Sequence, residues 1–372
     1  MEKQKGKITS RAFFFIYLTS LYSPVVRIFP NTISIAAKQA GWLCPLFATI
    51  ILYYLLSQIN FMLNAFPGLS LLKIFEKITN KLIGKSLAIL FLIWVMLISS
   101  FNLKYYAEKY VTTIHPNIAN ELFIIVLIVL VAFVVRAGLI VVSRMAEIFF
   151  WLLMLSNIVL MPIMFPNISL DYLTPISYLD IIPVLKGSIG MLSSYAFISL
   201  PFFLSDNIKD IENVKKRGWQ AMLFMIFIMT VLLANLIGNT GHYILSHANY
   251  AYLTAVEKIT LLQTITGLES LLIVAWSLSD LILTSIMTLV ALRIIKYIFN
   301  IEDSNIYINI ILIIIILLTR LIAKDTYELI DYSRNFGLSI NMILCFVVPI
   351  IMSWVYKLRL FTKKLIVKYN NK

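Results

Sequence analysis

One acidic residue, Asp280, stands in the middle of a long apolar run, with Trp276 and Thr284 one turn away on the same helical face. At the centre of a bilayer a carboxylate costs about 2.5–3.5 kcal/mol unless it is paired or hydrated. Asp280 is therefore placed either to bind a coupling cation, carry a proton or meet a ligand amine, or to make a structural hydrogen bond to a neighbouring helix. Arg27 follows Pro24 by three residues. Its planar fork suits a ligand carboxylate, and its place near the end of an apolar run equally suits snorkelling to the headgroups.

Backbone interruptions flank these charges. Pro24, in Ser20-Leu21-Tyr22-Ser23-Pro24, lacks an N–H and clashes with the carbonyl one turn back, so a kink or unwinding is expected there. A second interruption carries Gly187, Gly190, Ser193, Ser194, Tyr195 and later Pro201. Opened helices present free carbonyl and N–H groups to a polar ligand; the same small residues also let helices pack closely. The candidate ligand-binding set is Ser23, Pro24, Arg27, Gly187, Gly190, Ser193, Ser194, Tyr195, Trp276 and Asp280, with the stretch from Ser99 to Asn102 beside them.

Enzyme chemistry finds no foothold. The three histidines, His115, His242 and His247, fall in expected external loops or at run ends. No metal-ligand spacing, nucleophile elbow or phosphate loop is visible, so no catalytic residue, metal or cofactor is expected. Cys44 and Cys345 lie in apolar segments as small packing residues. Arg144 and Glu147, three apart, are expected to pair on one helix face.

The elements that position these residues follow from composition. Of 372 residues 60% are hydrophobic and 13% charged, with a mean hydropathy of +0.91. Apolar runs of about 20 residues match a helical crossing, and their continuous character excludes an alternating barrel. Ten spans are expected: 12–30, 42–59, 87–103, 122–139, 148–165, 183–204, 221–237, 268–295, 306–319 and 338–355. The ninth is short enough to extend past Arg320, and the eighth long enough to tilt or leave the bilayer. The start, with Lys3, Lys5, Lys7 and Arg11 before an apolar run, imitates a signal peptide but has no small-residue cleavage site, so a retained first span is expected.

Most of the 31 basic residues fall on one side if both ends are cytoplasmic, including the basic tail 357–372. The net charge of +13 lies in short loops, which argues against nucleic acid as a partner. No soluble domain is present; the stretches 242–258 and 325–334 face outside as solvated loops. The chain is expected to be one transmembrane domain whose halves, 8–165 and 181–356, form a five-plus-five inverted repeat with discontinuous first and sixth helices.

Several stretches resemble the spore germination permease family, the B-type subunit of nutrient germinant receptors. The clearest is Gly138-Leu139-Ile140-Val141-Val142-Ser143-Arg144-Met145-Ala146-Glu147, entering the fifth span. The opening Ile8–Phe15 with Pro30 and Trp42, and Pro201-Phe202-Phe203-Leu204 running into Asp206-Asn207-Ile208-Lys209 and Lys215-Lys216, are similar to the family's corresponding passages. Glu269 and Trp276 match positions in the eighth span. The chain departs where the family's Gly-Glu pair is replaced by Met191 and Leu192, and where a basic residue two before Glu269 is Gly267. An uncharged or differently oriented ligand would follow from those departures.

The resemblance implies membership of the amino acid–polyamine–organocation superfamily. It also implies a multi-pass protein of the spore inner membrane whose partners are an A-type subunit, a C-type lipoprotein subunit and membrane lipid. The implied function is binding of a small nutrient germinant, an amino acid being the expected class, to trigger germination. The same pocket would also serve a secondary amino acid transporter coupled to H+ or Na+, and an ion-conducting or scaffold subunit is a third possibility.

Overall fold

The apolar runs become helices because a backbone in hydrocarbon must satisfy its own hydrogen bonds. The computed structural model describes residues 6–113, 117–257 and 268–370, the side chains of 268 and 363–370 apart. The expectations placed on Lys3, Lys5, His115, Lys258, Gly267 and Lys372 fall outside the described residues.

Helix α1 (Ser10–Ala37) starts at Thr9, whose hydroxyl accepts from Ala12 N–H at 3.2 Å. It ends before Lys38 (φ 49°) and a tight turn, and α2 (Cys44–Ala65) opens with Pro45 in its first turn. A short α3 (Leu71–Ile78) leads to α4 (Lys81–Thr113) and α5 (Asn120–Ala137). Gly138, at φ 91°, allows the break into α6 (Leu139–Met164).

The second half of the chain holds α7 (Ile181–Tyr195), followed by 3-10 turns over Ala196–Ser199 and Pro201–Asn207, and α8 (Val214–Thr240). Two short helices, α9 (His242–His247) and α10 (Ala251–Glu257), precede α11 (Leu268–Phe299) and α12 (Ile308–Leu321). The last span is assembled from α13 (Thr326–Tyr332), α14 (Leu338–Asn341) and α15 (Val348–Asn370), joined by π-helical turns at Ser333–Gly337 and Met342–Val347.

Among the described residues, nine stretches are long and apolar enough to cross a bilayer. The first, Ser10–Ala65, has 56 residues and holds two of the expected spans, divided at Lys38. The chain is an all-α integral membrane protein, and every expected span lies on helical structure. Several helices outrun the expected bounds, α1 reaching Ala37, α2 reaching Ala65 and α8 starting at Val214. The third helix continues ten residues past Leu103, to Thr113, carrying Lys104, Glu108 and Lys109 into the bundle. The ninth passes Arg320, as expected, to end at Leu321, and α15 runs on through the basic tail to Asn370.

The packing has a clear axis. The most apolar stretch of α11 is 78% buried, whereas those of α5 and α12 are 28% buried and turn outward. Helix α1 packs on α6, α7 and α11, α4 on α11 and α12, and α2 on α7 and α8. Gly218 of α8 marks the tightest crossing: a Cβ there would lie 2.1 Å from Leu56 Cδ2 and 2.8 Å from Phe14 Cζ. Both neighbours are buried, so Gly218→Ala is expected to destabilise the protein by about 1–3 kcal/mol through overpacking. Denaturation of the purified protein in nanodiscs measures it; an unchanged midpoint would show that α1, α2 and α8 separate freely.

The end of the bundle that holds the N-terminus is latched. Ile8 N–H donates to Asn207 C=O and Lys209 N–H to Ile8 C=O, each at 2.9 Å. Asp210 accepts from Ser10 N–H and from the Ser10 hydroxyl, each at 2.7 Å. Partial burial pushes the Asp210 carboxyl up, but these bonds outweigh it and hold the group below its ordinary value. A carboxylate lowered on folding stabilises above the ordinary value near 4 and loses its contribution as pH falls through the folded value, so the latch holds throughout the neutral range. Arg293 pairs with Asp206, and the Tyr297 hydroxyl donates to Glu76 at 2.7 Å, closing the same end.

One expected pair is replaced. Glu147 meets Arg11 of α1 at 3.3 Å, while Arg144 points outward from α6 and forms no ion pair among the described residues. Packing of α1 on α6 brings Arg11 within reach. Both groups are substantially exposed, so the contact contributes little.

Candidate functional site

Three charged side chains meet at the axis. Lys109 Nζ lies 2.7 Å from Asp280 Oδ2, and Arg27 Nη1 lies 3.8 Å from the same oxygen. Lys109 and Asp280 are fully buried and Arg27 is 1% exposed. Each comes from a different helix, α4, α11 and α1, and burial keeps water from screening them. The guanidinium of Arg27 lies over the Tyr105 ring at 4.5 Å, and Lys109 lies over Tyr106 at 4.7 Å and Tyr110 at 5.4 Å. Aromatic faces favour cations in such geometry. The cluster nevertheless holds two cations for one carboxylate.

The helix around Ser23 is opened without unwinding. The Ser279 hydroxyl of α11 accepts from Ser23 N–H at 2.8 Å and donates to Thr19 C=O at 2.6 Å. In an uninterrupted ladder those two backbone groups would bond each other. The expected discontinuity of the first helix is therefore corrected: α1 stays helical through Pro24 and Pro30, with a neighbouring hydroxyl inserted in its ladder. The proline's freed carbonyl, Ser20 C=O, lies 3.5 Å from the same hydroxyl, which makes unwinding unnecessary. The sixth helix does break, α7 giving way to 3-10 turns after Tyr195.

Two cavities adjoin the cluster. An inner one of about 100 Å³ is lined by Pro24, Asn102, Ser194, Phe197, Leu338 and Asn341, among others. A second, of about 150 Å³, lies toward the end opposite the termini, against Asn31, His247, Asn249 and Arg334. Arg27, Ile28, Tyr105 and Ser333 line both, so the stacked Arg27–Tyr105 pair stands between them. Inner-cavity polar groups are few. Asn102 donates to Thr284 at 3.2 Å and leaves its own carbonyl oxygen without a partner among the described residues. Asn341 accepts from Trp94 Nε1 at 2.9 Å.

The structure sorts the sequence candidates. Pro24, Arg27 and Ser194 line the inner cavity; Ser23 does not line it, and its hydroxyl accepts from Arg27 Nη1 at 3.4 Å. Asp280 lines neither cavity; it lies in the charged cluster, paired with Lys109 and Arg27. Trp276 is buried, its ring 6.2 Å from Tyr250 and its Nε1 without a partner among the described residues. Gly187 lines neither cavity: a Cβ there would lie 2.8 Å from Cys44 Sγ, so it serves helix packing. Gly190 has open space at its Cβ position and also lies away from the cavities. Ser193 is held by Leu338 C=O and Asn341, and Tyr195 packs edge-on against Phe29.

Sequence reasoning missed Lys109, Tyr105, Ser279, Arg334 and Asn341. For Lys109 a signal exists: Tyr105, Tyr106 and Tyr110 extend the aromatic spacing of the third span beyond Leu103, and Lys104 and Glu108 are four apart. Lys104 pairs with Glu108 at 3.4 Å, and Glu108 accepts from Thr326 at 2.7 Å.

A bundle of apolar helices around buried charges and paired cavities defines a multi-pass membrane protein. A family model described as spore germination protein, the spore permease family, matches residues 7–327. The chain belongs to that family, which makes it a germination-related membrane protein. No curated protein matches the sequence.

Proposed function

We propose that the chain is a germinant receptor subunit that binds a small nutrient, an amino acid being the expected class, in the inner cavity. The observation that carries this reading is the cavity itself: an apolar chamber bounded by Arg27, Asn102, Ser194 and Asn341 at the opened segment of α1 and the end of α7. Small-molecule sites are typically apolar concavities with a few convergent polar groups. A nutrient that favours one arrangement of these helices shifts their equilibrium by its differential affinity, and about 1.4 kcal/mol suffices for a tenfold shift.

The fold supports a five-plus-five organisation with halves 8–165 and 181–356. In such a division the first and sixth spans, and the third and eighth, are counterparts in the two halves, and here α1 packs on α7 and α4 on α11. The reading places both termini in the cytoplasm and the protein in the spore inner membrane. An A-type subunit and a C-type lipoprotein are its partners there, reading the helix arrangement.

A second reading, a secondary transporter for amino acids coupled to H+ or Na+, is favoured by one feature. The two cavities beside Arg27 lie toward one end of the bundle, while at the other the Arg293–Asp206 pair and the Ser10–Asp210 latch tie the helices beside a further cavity of about 270 Å³. The test uses spores lacking this gene, exposed to a panel of amino acids, sugars and nucleosides. Loss of response to one nutrient with normal vegetative uptake is the expected result. Normal germination on every nutrient with an uptake defect in growth would replace the receptor reading with the transporter.

A further inference from the structure

The charge balance around Arg27 is incomplete. Asp280 is engaged by Lys109 at 2.7 Å, and Arg27 stands farther off at 3.8 Å. Its other neighbours, the Ser23 hydroxyl and the Tyr105 ring, are neutral. Arg27 Nε has no hydrogen-bond partner among the described residues although the side chain is 1% exposed. A buried cation left without a full partner is costly, and the cost is removed by an anion.

The outer cavity supplies the place. Arg27 forms one side of it and Arg334, from the π-helical turn of the last span, another. Arg334 Nη2 donates to Asn31 Oδ1 at 2.7 Å, which holds the guanidinium in position, while its Nε also lacks a partner among the described residues. Asn31 is itself fixed, donating to the carbonyls of Leu245, Ser246 and Ala248 at 2.8–3.1 Å. Among the described residues no aspartate or glutamate lines this cavity, so no carboxylate in its described wall faces the two guanidinium groups. Ile28, Ile35 and Ile330 make up an apolar side.

We propose that the outer cavity is a second binding site, for a small carboxylate held between Arg27 and Arg334. The planar fork of arginine matches a carboxylate, and the isoleucines suit a short hydrocarbon portion that inorganic anions lack. The site goes beyond the nutrient reading: it is separated from the inner cavity by the Arg27–Tyr105 pair, and Arg334 lies beyond the stretch matched by the family model. Occupation would give Arg27 a second anion, beside the distant Asp280, without disturbing the Lys109–Asp280 pair.

The test is equilibrium binding of radiolabelled propionate to the purified full-length chain in nanodiscs, with propionamide, chloride and phosphate as competitors. Saturable propionate binding, with each competitor at least tenfold weaker, is expected. Arg334→Gln should weaken propionate at least tenfold, and Arg334→Lys, which keeps the charge but loses the fork, should fall between the two. Equal competition by propionamide would overturn the charge requirement. Equal competition by chloride or phosphate would overturn the carboxylate assignment. Parental affinity in Arg334→Lys and in a folded Arg334→Gln would remove Arg334 from the site. Failure of all propionate binding would sink this site and leave the germination panel and the Ser194→Leu dose curve, which read the nutrient response, unaffected.

Discussion

Asp280→Asn is expected to cost about 3–5 kcal/mol of stability, the range found when one member of a buried ion pair is removed. The substitution keeps the side chain's shape and deletes the only carboxylate that Lys109 and Arg27 share. Two fully or nearly fully buried cations then face each other with neutral groups between them. Lys109→Met is expected to cost distinctly less, although it breaks the shorter contact. Asp280 then keeps Arg27 as a partner, and the methionine stem occupies the space beside Tyr106 and Tyr110. The order follows from charge: the first change leaves the cluster with two uncompensated cations, the second leaves it balanced. Denaturation midpoints of both variants in nanodiscs measure it. Equal losses, or the reverse order, would mean that Arg27 takes no part in neutralising Asp280.

Ser194→Leu should shift the germinant dose curve of spores at least tenfold to higher concentration while leaving the protein folded. Ser194 is half-buried at the end of α7, lines the inner cavity and makes no hydrogen bond among the described residues that leucine would break. A leucine side chain takes up much of a cavity of about 100 Å³, and a nutrient displaced by 1.4 kcal/mol loses tenfold in affinity. Immunoblots of spore membranes control for protein level. An unchanged dose curve with normal protein would move the nutrient out of this cavity.

The sequence made some of this legible for physical reasons. An ionisable residue within an apolar run is so costly that it must have a partner, which is why Asp280 and Arg27 stand out in the sequence and why the fold brings them together. Lys109 escaped because a lysine six residues beyond an apolar run is indistinguishable from a loop residue until the helix is seen to continue. Pro24 announced a disturbed ladder but not its form, since the inserted Ser279 hydroxyl comes from a helix more than 250 residues away in sequence. Gly187 and Gly190 carry the same letter and different surroundings, one against Cys44 and the other in open space. Nothing in Ser333–Gly337 marks a π-helical turn, although that turn carries Arg334 to the outer cavity.

The most direct test of the central claim is binding of the nutrient that the germination panel identifies to the purified chain alone, by equilibrium dialysis in nanodiscs. Saturable binding, weakened at least tenfold in Ser194→Leu, is the predicted result. No binding by the folded chain, or equal binding by the variant, would contradict the claim that this subunit holds the germinant in the cavity beside Arg27.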